Sequence, residues 1–104
     1  MKQYVHQPGS TMYRILERKA YSLGAAKFHI SRKKDKKYLV VYRNKTVHFG
    51  SRFNFDSTWE SDEVQRERKI KQYKARHGKI LLKDGRPAYK VKGTPAYFSW
   101  HLLW

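Results

Sequence analysis

The chain has 104 residues, enough for one small domain with a limited core, and its 24 Lys and Arg against 8 Asp and Glu give a formal charge of +16, which calls for an anionic neighbour. The absence of Cys excludes disulfides, thiolate nucleophiles and Cys-based zinc sites, and suits a reducing compartment. Sixteen aromatic residues (8 Tyr, 5 Phe, 3 Trp) are too many for a disordered basic tail, so folding is expected.

The charge is spread along the chain: residues 1–60 carry 13 basic and 4 acidic side chains, residues 61–104 carry 11 and 4. The opening residues contain no apolar run of signal-peptide or membrane-spanning length, because Arg14, Glu17, Arg18 and Lys19 interrupt it, which reads as a soluble or assembly-bound protein. Pro8-Gly9 signals a turn, with Ser10 or Thr11 as a helix cap. "TMYRILERKAYSLGAAKF" fits either an amphipathic helix, with Met12, Ile15, Leu16 and Lys19 on one face, or a pair of short strands; Gly24 interrupts whichever forms. Residues 1–35 are thus expected to be a basic N-terminal extension, partly helical, ahead of a small α+β domain at 36–104.

"SRKKDKK", Ser31 to Lys37, is the densest basic run, fit either to clamp phosphates through Arg32, Lys33, Lys34, Lys36 and Lys37 or to serve as a solvated loop. In "KYLVVYRNKTVHFG", period-2 alternation predicts a hairpin with its turn at 43–44 or 44–45. Either turn groups Tyr38, Val40, Tyr42, Val47 and Phe49 on one face and leaves Leu39, Val41, Thr46 and His48 opposite. Asn44 suits a left-handed turn position, and Gly50 suits a strand exit. His48 then reads as a hydrogen-bonding or interface residue rather than a base.

Phe53, Phe55 and Trp59 need burial, under the hairpin or in a neighbouring molecule. Asp62 with Gln65 marks a helix start, and the helix should run to about His77 and end at Gly78. Ile70, Tyr73 and His77 form its apolar stripe, while Arg66, Arg68, Lys69, Lys71, Lys74 and Arg76 cover most of the rest, available to phosphate or to protein. "GKILLKDGRPAYKVKG" predicts a second hairpin turning at Asp84-Gly85, with Pro87 at an edge. Thr94-Pro95 then caps a short helix, "AYFSWHLLW", apolar on nearly all sides, which packs into the fold or plugs a partner. The fold class expected is α+β: one or two hairpins, a central basic helix and a short aromatic C-terminal helix.

Catalytic patterns are weak. The histidines at 6, 29, 48, 77 and 101 lack metal-ligand spacing, the carboxylates are accounted for by capping and ion pairing, and there is no glycine-rich phosphate loop. The reading is of a non-enzyme with no cofactor, no metal and no catalytic residue; a metal-dependent nuclease would need carboxylates or histidines to converge in space.

"KTVHFG" at 45–50, "ERKIKQYKARH" at 67–77 and "SWHLLW" at 99–104 together resemble a small basic protein family of large double-stranded DNA viruses that infect eukaryotes. The family pattern runs K-T-V-H-F-G, then E-R-K with Y-x-x-R-H, then S-R-W-L-L-W. Lys45 to Gly50 match the first block; Glu67 to Lys69, Tyr73, Arg76 and His77 the second; Ser99 and Leu102 to Trp104 the last. Trp100 and His101 depart from the pattern, and a longer connection precedes them. The likeness covers about residues 36–104 and implies a virion context, with the host cytoplasm or nucleus as the place of assembly. It supports a minor capsid protein in an oligomeric assembly, using the basic residues above against acidic capsid proteins and Phe53, Phe55, Trp59, Trp100 and Trp104 as aromatic anchors, with His48 and His77 as interface or hydrogen-bonding residues. The alternative is a non-specific DNA-binding or genome-packaging protein. A membrane is not expected as partner, although an anionic surface is compatible with the charge.

Overall fold

The computed structural model describes residues 3–104, which fall into two compact units, one ending at Asn54 and the other spanning Phe55–Trp104. The protein is α+β, with three α-helices and a three-stranded antiparallel sheet among the described residues. The boundary expected after residue 35 is not where the units divide. The segment read as an extension contributes a helix and a strand to the first unit.

In the first unit, α1 (Thr11–Ser22) starts at Ser10, whose hydroxyl accepts from the Tyr13 N–H. It ends in a Schellman motif: the Gly24 N–H donates to Tyr21 and the Ala25 N–H to Ala20, with Gly24 at φ 99°. The helix alternative therefore holds, but its buried face is Tyr13, Leu16 and Ala20, whereas Ile15 and Lys19 are exposed. The apolar content of Ile15 suggested the wrong stripe; a Tyr three residues before Leu16 and an Ala four after it is the stripe that packs on the sheet.

The sheet is a meander of β1 (Lys27–Ile30), β2 (Lys36–Tyr42) and β3 (Lys45–Ser51). β1 was not anticipated, since four residues carry too little alternation to stand out. The β2–β3 turn is Arg43–Asn44, both at positive φ (49° and 64°), a type I′ geometry that matches strand twist. Tyr38 pairs with Phe49, Val40 with Val47 and Tyr42 with Lys45, so the buried face is the one the alternation specifies. Rings from three strands and the helix form one ladder, Tyr13–Phe28–Tyr38–Phe49, with successive centroids 5.1, 5.2 and 6.0 Å apart. Tyr13 also donates its phenol proton to the Phe28 carbonyl, and the Tyr38 hydroxyl accepts from the His6 N–H, so polar tips of the buried rings are used.

In the second unit, a 3-10 turn at Ser57–Trp59 precedes α2 (Glu63–His77), which is capped by Asp62 accepting from the Gln65 N–H at 3.1 Å. The second hairpin expected at 79–92 does not form as strands. Only a bridge between Leu81 and Pro87 flanks the Asp84–Gly85 turn, after which Ala88–Lys90 wind into a 3-10 helix. The Leu82 N–H donates to the Arg86 carbonyl and the Ala88 N–H to the Ile80 carbonyl, so Pro87 stands where the pairing uses no N–H, and the strands end where Ala88 enters the 3-10 helix. The sheet's second hairpin is instead β1–β2. Finally α3 (Pro95–Leu102), capped by Thr94, buries Tyr97, Phe98 and Leu102, with Leu103 beside them. This apolar segment packs into its own unit.

Candidate functional site

The basic run Ser31 to Lys37 becomes the connection between β1 and β2 and the first residues of β2. Ser31 is 2% exposed and organises it. Its N–H donates to the Lys37 carbonyl at 3.0 Å, its hydroxyl oxygen accepts from the Lys33 N–H at 3.1 Å, and that same oxygen lies 2.7 Å from His48 Nδ1 on β3. Arg52 clamps the loop from outside the hairpin: Nε donates to the Lys36 carbonyl at 2.9 Å, a terminal nitrogen donates to the Ser31 carbonyl, and its own N–H reaches Asp35. Arg32, Lys33 and Lys34 are exposed and Lys36 is half-exposed, so all four present charge outward.

Lys37 does not. It was grouped with its neighbours by composition, yet its side chain is 1% exposed, with the ammonium 5.9 Å from the Tyr4 ring centroid. A long alkyl stem can be packed away while the ammonium keeps company with an aromatic face. Lys37 therefore leaves the set of partner contacts.

On α2 the inward row is Arg66, Lys69, Ile70, Tyr73, Lys74 and His77, all half-buried. Three of the expected cations are thus engaged within the unit. Lys69 bonds Glu60 at 2.7 Å and lies 4.1 Å over the Phe55 ring, Arg66 pairs with Glu63 at 3.2 Å, and Lys74 lies 5.1 Å from the Trp100 centroid. The Lys69 bond holds the Glu60 carboxyl below its ordinary range. Arg68, Lys71 and Arg76 remain exposed, sharing the outward side with Ala75 and with Val64, which is 68% exposed. Just beyond the helix end, Ile80 and Leu81 are also exposed.

The aromatic anchors are all half-buried rather than projecting. Trp100 stacks on Tyr89 at 3.8 Å, Trp104 on Tyr73 at 4.4 Å, and Phe55 sits under Lys69. These rings are consumed largely by their own unit. Gly78 belongs to this packing: a Cβ there would meet the Lys74 carbonyl at 2.8 Å and lie 3.6 Å from Trp100.

His77 stacks on Tyr73 at 4.0 Å, so its contact is a ring face. Burial, then neighbouring Arg76, lowers its pKa; burial and Lys74 do the same to His101. His48 is lowered by burial first and then by Lys33 and Lys36. Its Nδ1 is hydrogen-bonded with the Ser31 hydroxyl at 2.7 Å. No three His, Asp or Glu side chains among the described residues converge on a metal position.

Ser31 and Arg52 were not singled out from sequence. Both act across 17 to 21 residues, through contacts that no local pattern encodes. No helix among the described residues is long and apolar enough to cross a membrane. No protein-family model, curated protein or solved structure matches the chain.

Proposed function

We propose that this protein is a non-catalytic component of a virus particle, a minor capsid protein that bridges acidic surfaces of capsid proteins. The resemblance of its "KTVHFG", "ERK…YxxRH" and "LLW" blocks to a viral family supports the setting. The observation that carries the partner class is the outward side of α2, where Val64, at 68% exposure, shares a face with exposed Arg68 and Lys71, and where Ile80 and Leu81 follow at 48% and 58%. A phosphate backbone offers such aliphatic groups nothing to bury against, whereas an acidic protein surface offers both charge and apolar area. Each unit is separately positive, with 13 Lys and Arg against 2 carboxylates up to Asn54 and 11 against 6 from Phe55 onward, which suits one molecule to two acidic surfaces.

The test is cosedimentation with nuclease-treated capsid shells. The protein should pellet with the shells, and Val64→Asp combined with Lys71→Glu should abolish pelleting while the fold persists by circular dichroism. Protein left in the supernatant with intact shells would sink the proposal.

A second reading is favoured by the first unit's near absence of carboxylates: non-specific binding of DNA through Arg32, Lys33, Lys34 and Lys36. It requires duplex affinity that falls steeply with salt and falls again when Arg32 and Lys34 are neutralised. Affinity indifferent to those two changes removes it.

A further inference from the structure

We infer that the outer edge of β3 is a strand-addition site, at which the main chain of Thr46 and His48 pairs with an extended acidic segment of a partner protein. The inference rests on the bridging reading and deepens it, because it names how the first unit meets an acidic protein.

The register decides which main-chain groups face outward. A two-residue turn makes its flanking pair, Tyr42 and Lys45, a hydrogen-bonded one, and the alternation of an antiparallel ladder then assigns bonding to Val40–Val47 and Tyr38–Phe49. The pairs between them, Val41–Thr46 and Leu39–His48, turn their N–H and carbonyl groups away from each other. On β2 those groups face β1, where Lys27 pairs with Val41 and His29 with Leu39; the Ser31 N–H on the Lys37 carbonyl keeps the same parity. On β3, the edge strand, they face outward. No hydrogen bond reaches the main chain of Thr46 or His48 among the described residues.

This edge lacks the usual protections. From Thr46 to Phe49 there is no Lys, no Pro and no bulge, and Thr46 is exposed. The His48 ring bonds Ser31, which follows β1, so the ring is drawn back across β2 rather than over the edge. The other edge of the sheet is different: β1 has four residues, and its outward Phe28 carbonyl accepts from the Tyr13 hydroxyl. Beyond Phe49 the open stretch ends, since Gly50 leaves the extended conformation at φ 79° and the Arg52 carbonyl takes the Tyr4 N–H.

Chemistry selects the occupant. The open row alternates donors and acceptors, which a second peptide backbone matches and a phosphate backbone, offering acceptors only, does not. Residues 36–54 contain no carboxylate, and Arg43 and Lys45 stand exposed at the turn end of the edge. A second copy would set like charge against like, since the first unit carries 13 Lys and Arg against 2 carboxylates. An extended segment bearing Glu or Asp offsets that charge.

The experiment mixes the full chain with a short capped synthetic peptide of alternating Glu and Val and follows amide exchange by NMR. Exchange at Thr46 and His48 should slow about tenfold at saturation, while Val47, already bonded within the hairpin, changes little. The same peptide with every backbone nitrogen methylated keeps the charge but cannot pair as a strand, and should protect neither amide. Thr46→Pro removes an N–H that β2 does not use, so it should abolish the protection of His48 while circular dichroism shows the sheet intact.

No protection, or equal protection from the methylated peptide or from a duplex oligonucleotide, overturns the site. A chain that sediments alone as a dimer with Thr46 and His48 already protected assigns the edge to a second copy and also overturns it. The peptide arms use the wild-type chain and decide even if Thr46→Pro fails to fold. Pelleting with capsid shells through α2 is a separate measurement, so the edge and the bridging reading can fail independently.

Discussion

The Trp104 ring lies nearly parallel to that of Tyr73, at 8° with centroids 4.4 Å apart, while His77 stacks on the same tyrosine at 16° and 4.0 Å. Tyr73 is thus the point at which α2, which buries no side chain completely, is tied to the residues following α3. Tyr73→Ala should destabilise the second unit by about 2–3 kcal/mol, since two stacks worth roughly 0.5–1.5 kcal/mol each are lost along with ring burial. Tyr73→Phe should cost well under 1 kcal/mol. Urea unfolding followed by tryptophan fluorescence distinguishes the two, and equal effects would mean that the hydroxyl, not the ring, matters.

The β2–β3 turn places Arg43 at φ 49°, a conformation that a side chain with a Cβ tolerates poorly. Arg43→Asn should stabilise the protein by about 0.5–1 kcal/mol by matching the type I′ preference. The gain should appear as a raised Tm; a lowered Tm would show that the Arg43 guanidinium, 5.1 Å from the Tyr42 ring, contributes more than the backbone strain costs.

Arg52 holds the connection between β1 and β2 through the Lys36 and Ser31 carbonyls. Arg52→Lys keeps the charge but cannot span both acceptors with a fixed fork. Amide exchange at Lys33 and Lys36 should accelerate at least tenfold in this variant while exchange at Val40 and Val47 stays slow. Uniform acceleration across the sheet would instead make Arg52 a general stabiliser.

Stability should fall on mild acidification. His48, His77 and His101 all protonate below the ordinary 6.5 in the folded protein. As pH drops through about 6.5 the unfolded chain takes up protons first, so the stability present above that value is lost until the folded midpoints are reached. Glu60 and Asp84, held low by Lys69 and Arg86, extend the loss only in the carboxylate range below about 4.5. Urea midpoints measured at pH 7.5, 6.0 and 5.0 should decline in that order, and a flat profile would contradict the lowering of the three histidine midpoints in the folded protein.

Short-range rules carried much of the fold. Ser10, Asp62 and Thr94 each cap the helix that follows, because the side-chain oxygen meets an N–H only three residues on. The face assignment of β2 and β3 followed from alternation alone, and it held because pairing at a two-residue turn cannot shift without inverting every side chain. Where two local rules competed, the outcome was different. At Asp84–Gly85 the turn formed and a Leu81–Pro87 bridge followed it, but the 3-10 winding at Ala88 stopped the strands. In α1, Ile15 looked like core and is exposed, since helix rotation is set by what the sheet offers rather than by the helix.

What the residues determined by themselves was charge, element type and the two faces of the β2–β3 hairpin, all of which depend on neighbours within a few positions. Which of the cations stay available depended on tertiary structure. Lys37 is buried and Lys69 and Lys74 lie over aromatic rings, whereas Lys33 and Lys71 are exposed. His48 in "KTVHFG" carries the same lesson: alternation placed it on the outer face, but its partner Ser31 is 17 residues away, brought within 2.7 Å by the β1–β2–β3 register. Contacts of that kind depend on how strands are laid side by side, and no window along the chain contains them.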